Sequence, residues 1–92
     1  SVPRLRVRIG SIPDYGNSAQ GVLLAGVSDP SPAAKAGLQR GDLIIEVGGK
    51  KITNVYDYMY ALADLYSKKP TQFVVVRDGR KLTLTIVPEQ AK

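Results

Sequence analysis

The sequence predicts an α+β domain, with five to six short strands in a curled, largely antiparallel sheet and one short and one long helix. Three observations carry this. Glycine-containing hairpin turns recur, at Gly48-Gly49 and Asp78-Gly79. Short apolar runs of strand type are interspersed with stretches of helical period. One segment, Asp29–Gly49, specifies its own local path almost residue by residue.

The first strand is expected from Leu5 to Ile9, running on through Gly10 and Ser11 to Ile12. Arg4, Arg6 and Arg8 alternate with Leu5, Val7 and Ile9, which puts the guanidinium groups on one face and the aliphatics on the other. Residues 13–20, rich in Pro, Asp, Gly, Asn and Ser, read as a loop. Gly21 to Val27 reads as a strand. Ser31 then caps a short helix, because its hydroxyl can accept from a free N–H one turn in. Pro32 suits the first helical position. Gly37 ends the helix in a left-handed conformation, and Leu38 folds apolar surface back onto it. Such a helix is too short to persist in water alone, so it must dock.

Gly41-Asp42 turns the chain into the apolar strand Leu43–Val47, and Lys50–Ile52 is a short return strand. Asn54 caps the longest helix, with Asp57 completing a pair of capping-box type. This helix is expected from Val55 to about Tyr66, with Val55, Tyr58, Met59, Leu62 and Leu65 as its apolar stripe. Gln72–Arg77 and Lys81–Val87 form the last hairpin. Leu82, Leu84 and Ile86 lie on one of its faces and Thr83 and Thr85 on the other.

Composition narrows the function classes. Ninety-two residues make one domain, 1–92, and the opening Ser-Val-Pro with a polar tail reads as a piece of a longer protein or as ends left by processing after translation. The apolar fraction of 43% is that of a globular chain. No apolar run is long enough to span a bilayer, so direct membrane insertion is not expected. The net charge is +5, but the basic residues are scattered and not interleaved with stacking aromatics, which argues against nucleic acid. The arginine face is either a solvated strand face or a positive field for an acidic ligand. With no His and no Cys, the commonest nucleophile, base and metal ligands are missing, so catalysis by this chain is not expected.

Ser31-Pro32-Ala33, Ala36-Gly37-Leu38, Gly41-Asp42, Ile44, Val47 and Gly49 match the pattern S-P-A-x-x-A-G-L-x-x-G-D-x-I-x-x-[IV]-[ND]-G. On these residues the chain resembles the PDZ family, in the circularly permuted variety of bacterial proteases. Gly48 departs from the usual Asn or Asp but meets the same backbone need. The resemblance implies a partly open barrel or sandwich, with Lys81–Val87 as the last strand of the permuted order. It also implies a gap beside the long helix in which a peptide C-terminus adds as an extra strand.

The family's hydrophobic–Gly–hydrophobic triplet aligns best with Ile9-Gly10-Ser11, followed by Ile12. The resemblance therefore implies a carboxylate cradle of the Ile9, Gly10 and Ser11 N–H groups, with Arg8 assisting by charge. The bland alternative is that Gly10 marks only a bulge. Ser11 stands where an apolar residue is usual, which makes the terminal-residue pocket more polar. Pro13 has no N–H, so the added strand should engage only two or three ligand residues. Tyr58, Met59, Leu62 and Leu65 are candidates to line the groove, although some must face the core. Tyr58 or Met59 would select side chains, and Leu62 would wall the terminal pocket. A few net hydrogen bonds of about 1 kcal/mol each and one buried aliphatic of about 2 kcal/mol, set against association entropy, imply micromolar or weaker binding.

Ile9-Gly10-Ser11-Ile12-Pro13-Asp14-Tyr15 is similar to the L-G-[IV]-x-P-D-Y of PDZ domains attached to bacterial zinc aminopeptidases, and Asn54–Met59 looks like their long-helix start. Such a parent would be extracytoplasmic, periplasmic or extracellular, and would hold its zinc in another domain, leaving this one without a cofactor. The expected partners are peptide or protein C-termini or the parent protease domain, and the isolated domain should be a monomer. Two rivals remain open: an assembly domain whose groove is self-occupied, and an accessory PDZ domain of a secretion or intramembrane-protease system.

Overall fold

The computed structural model describes residues 7–16 and 20–91. The expectations for Arg4, Leu5 and Arg6, and for residues 17–19 of the first loop, lie outside the described residues. Among those described, eight short strands and two helices follow one another: β1 (Val7–Arg8), β2 (Ser11–Pro13), β3 (Val22–Val27), α1 (Pro32–Ala36), β4 (Leu43–Val47), β5 (Lys50–Lys51), α2 (Val55–Ala63), β6 (Thr71–Arg77), β7 (Arg80–Ile86) and β8 (Glu89–Gln90). Six strands form one antiparallel sheet in the order β2-β3-β4-β6-β7, with β5 paired to β4. The sheet has two separate margins, β2 and β7, so it is curled but not a closed barrel. β1 and β8 pair apart from it.

The local code around α1 is met in detail. The Ser31 Oγ accepts from the Ala34 N–H at 3.1 Å. Gly37 adopts φ +93°, and the N–H groups of Gly37 and Leu38 close on the carbonyls of Ala34 and Ala33 at 3.1 and 3.0 Å. Gly48-Gly49 and Asp78-Gly79 all have positive φ, as two-residue hairpin turns require.

Three expectations are corrected. The first strand is not continuous: it breaks at Gly10, whose φ is +88°, so β1 pairs with β8 and β2 with β3. The long helix stops at Ala63, not near Tyr66. Asp64 caps it, and the Leu65 N–H reaches the Leu62 carbonyl at 3.1 Å, a tightened last turn that still buries Leu65. The polar tail adds a strand beyond those expected, since Glu89-Gln90 forms β8. The return strand after the Gly48-Gly49 turn is also one residue shorter than expected.

The core lies between the sheet and α2. Phe73, Val75, Ile44, Ile86 and Leu24 are sealed within it, and the Tyr58 ring meets Phe73 edge to face, with centroids 6.5 Å apart. Asp42 is also buried there. Its carboxylate takes a two-point contact from the Arg77 guanidinium, at 2.8 and 2.7 Å, and accepts from the Gln39 N–H at 2.9 Å. Arg77 reaches on to the Gly37 carbonyl at 2.8 Å. One side chain thus ties the end of β6 to the start of β4 and the stop of α1.

Candidate functional site

Gly10 sits where β1 hands over to β2, and its surroundings leave room for no other residue. A Cβ there would lie 2.4 Å from the Ser31 Cβ. The loop is held by its carbonyls: the Ala33 N–H at the start of α1 donates to the Ile9 carbonyl, and the Ser28 N–H donates to the Gly10 carbonyl, both at 2.8 Å. A trans peptide unit points its C=O and N–H in opposite directions. The N–H groups of Gly10 and Ser11, which belong to those same two units, are therefore turned away from α1 and β3. No acceptor among the described residues meets the Gly10 N–H.

These groups face the margin of β2. Because Gly10 is hydrogen-bonded to Ser28 and Ser11 lies opposite Val27, alternation in an antiparallel pair turns the Ser11 N–H and C=O outward. Pro13 stands on the same margin at a bulge, where the register slips between Ile12 and Pro13; an edge tolerates its missing N–H. A cavity of about 760 Å³ opens beside this margin, walled by residues 7–11, by Leu62 of α2 and by residues 89–91. A smaller hollow of about 70 Å³ lies among Pro13, Asp14, Tyr15, Asn54 and Val55. The seam between β2 and α2 thus has a hollow at each end. Between them the hydroxyls of Ser11 and Tyr58 meet at 2.6 Å.

Of the residues singled out from the sequence, Arg8, Ile9, Gly10, Ser11 and Leu62 share the large cavity. Ile12 does not; it is 46% exposed. Tyr58 is enclosed in the core, 1% exposed, and reaches the seam only through its hydroxyl. Met59 is half-buried. Leu65 is buried beside a different hollow of about 330 Å³ near the Gly48-Gly49 turn. The stripe of α2 therefore divides: Tyr58 and Leu65 serve the core, and Leu62 serves both core and cavity. Sequence reasoning missed Glu89, which pairs with Arg8 at the cavity mouth. It sits 81 residues away in the chain, and no periodic signal announces a two-residue strand.

Charge at the site is modest. The Arg8–Glu89 pair is about half exposed on both sides, where ion pairs contribute little. Burial pushes the Tyr58 phenol well above its ordinary value, against the lowering effect of the Ser11 hydrogen bond, so it stays protonated. At the head of α2, the Asn54 side chain accepts from the Asp57 N–H at 2.9 Å. Asp57 in turn accepts from the Thr53 hydroxyl and N–H, one residue before the cap itself, and these hold its carboxyl below the usual range. Among the described residues no group of three or more Asp or Glu is placed to hold a metal ion, and no helix is long and apolar enough to cross a membrane.

Residues 7–87 match the family model of the PDZ domain. A Brucella suis protein named as a zinc metalloprotease is 39% identical over 75 residues, which is 82% of this chain and 20% of that protein. A Pseudomonas fluorescens protein named as a periplasmic DegP-like serine endoprotease is 36% identical over 76 residues, 78% of this chain and 16% of that protein. The chain thus spans about one fifth or less of the length of these relatives. Among solved structures, a serine endoprotease from Yersinia pestis superposes with a TM-score of 0.82 at 26% identity, over 96% of this chain and 30% of that one. The HtrA3 PDZ domain bound to a phage-derived ligand, FGRWV, superposes with a TM-score of 0.69 at 25% identity, over 96% of this chain and 86% of that one. An aminopeptidase N family protein from Idiomarina loihiensis shares the fold, with a TM-score of 0.83 at 23% identity, over 96% of this chain and 14% of that one.

Proposed function

The chain belongs to the PDZ domain family, and from that premise we propose that it captures peptide C-termini by strand addition at the β2 margin, recruiting or gating substrate for a bacterial peptidase. The observation that carries this is the state of the Ile9–Ser11 loop. Its Ile9 and Gly10 carbonyls are tied inward, and the Gly10 and Ser11 amides face the side on which the cavity opens. Converging backbone N–H groups are what a terminal carboxylate needs. The Ser11 N–H and C=O, with the Pro13 C=O, offer a short ladder to an incoming strand, and Leu62 walls the pocket for its last side chain. Arg8 adds positive charge once it releases Glu89.

The domain acts by binding, not catalysis. Its parent carries the chemistry elsewhere, and a zinc peptidase of aminopeptidase type is the form we favour, on the Ile9–Tyr15 pattern and the Brucella relative's name. The periplasmic label of the DegP-like relative supports an extracytoplasmic site of action. The partners are peptide or protein C-termini, or the protease domain of the parent.

The test is a pair of peptides that differ only at the C-terminus, one a free acid and one an amide, titrated against the 92-residue chain. The free acid should bind at micromolar affinity or weaker, and the amide at least roughly tenfold more weakly, since charged hydrogen bonds are lost. Equal binding would overturn the carboxylate cradle.

A second reading has an observation of its own. Glu89, Gln90 and Ala91 already wall the cavity, and Glu89 holds Arg8. A groove filled from within would make this an assembly domain, and a random library of C-terminal peptides would then yield no binder.

A further inference from the structure

We infer that the pocket reads a hydroxyl: the Ser11–Tyr58 pair selects ligands whose last residue carries a small hydroxylated side chain, Thr or Ser, over the aliphatic isostere Val. This rests on the reading of the cavity as a site for C-termini, and it names the chemistry of the residue that site takes.

The geometry separates two functions of one residue. In a strand, N–H and C=O lie in the plane of the sheet while the side chain stands perpendicular to it. The Ser11 amide therefore addresses the margin where a ligand backbone would lie. Its hydroxyl addresses the space beneath, toward α2, where the ligand's last side chain would descend. Two hydroxyls carry two protons, and the 2.6 Å contact between Ser11 and Tyr58 uses one of them. Tyr58 is enclosed and does not line the cavity; Ser11 does. The unspent bonding capacity of the pair is thus presented at Ser11. Tyr58, fixed by its edge-to-face contact with Phe73, holds that hydroxyl in place and is a positioning residue.

The aliphatic part of the lining is Val7, Ile9 and Leu62, while Arg8, Glu89 and Gln90 also border the cavity. A threonine offers a methyl group to the aliphatic walls and a hydroxyl to Ser11. A valine of the same shape would cover the Ser11 hydroxyl and leave unmet the bonding capacity that Tyr58 does not use, and capacity desolvated in this way costs more than the bond it would have made.

The experiment uses two pools of decapeptides, randomised at nine positions and ending in Thr or in Val, each as free acid and as amide, titrated against the 92-residue chain. The Thr free acids should bind roughly five- to tenfold better than the Val free acids. Ser11→Ala should abolish the preference. Tyr58→Phe, which keeps the ring and its packing, should shrink it to about twofold or less, and thermal unfolding of both variants checks that they remain folded. Should Tyr58→Phe fail to fold, Ser11→Ala alone decides. Equal binding of the two free-acid pools, a preference for Val, or a Thr preference that survives Ser11→Ala would overturn the proposal while leaving the carboxylate site standing. Free acids that bind no better than amides would sink both.

Discussion

The Ser31–Asp42 region and the β2–α2 seam are made of similar parts: a capped helix, a positive-φ glycine, a buried polar side chain and an ion pair. They differ in what is left over. Around α1 the buried polar side chains are spent inside the domain. Ser31 serves as both donor and acceptor, and Asp42 is satisfied by Arg77 and Gln39. Along the seam the Gly10 N–H has no acceptor among the described residues, and the sheet ends in an open margin. The first region spends its bonding capacity within the domain, and the second leaves part of its own unspent.

Gly10 joins the two regions, so changing it should break both at once. Gly10→Ala forces a Cβ against Ser31 and places a side chain at positive φ. Overpacking and left-handed strain together should cost about 3 to 4 kcal/mol, read by chemical denaturation, with peptide binding lost as well.

Arg77→Ala attacks only the first region. It strands a buried carboxylate and should cost about 3 kcal/mol while leaving peptide selectivity unchanged at temperatures where the variant is folded. It should also alter the response to acid. Burial raises the Asp42 carboxyl, but the Arg77 and Gln39 hydrogen bonds outweigh this and hold it below its ordinary value. The stabilisation is therefore fully present above the unfolded carboxylate range, near pH 4, and is lost as pH falls through the folded value. Denaturation midpoints across pH 2 to 5, where the acid-sensitive carboxylates titrate, should drop less steeply in the variant than in the unchanged chain.

Asn54→Ala removes the cap of α2 at the far end of the seam from the cavity. It should cost about 1 kcal/mol, read as a lower unfolding midpoint, without altering the preference for free acid over amide. Glu89→Gln should change stability by less than about 0.5 kcal/mol, because the pair with Arg8 is exposed. It should nevertheless strengthen free-acid binding by about two- to threefold at low salt, an advantage that fades as ionic strength rises. No change in binding would place Arg8 outside the second region's function.

The same comparison explains what the sequence disclosed. The α1 region was legible because its instructions are local: Ser31, Pro32, Gly37 and Gly48-Gly49 each act on backbone within a turn of themselves. The strands of the main sheet were legible too, from apolar alternation and hairpin turns. The seam was legible only in part. The periodicity of α2 put Leu65 on the apolar stripe without separating core from groove, and it carried the helix past Ala63, because burial continues while the last turn tightens. It could not divide Tyr58 from Leu62, since core and cavity lie on neighbouring sides of one helix. Partners far apart in the chain, Arg8 with Glu89, Asp42 with Arg77 and Ser11 with Tyr58, leave no trace in spacing at all.

The antiparallel pairing of Val7 with Gln90 sets the outer ends of β1 and β8 side by side, like the prongs of a plug. Tension on Val7 and Gln90 in opposite directions would peel β1 from β8 rung by rung and would not shear them together. Those rungs also border the cavity of about 760 Å³, so a mechanical load on the adjoining chain would reach the mouth of the groove before it reached the core.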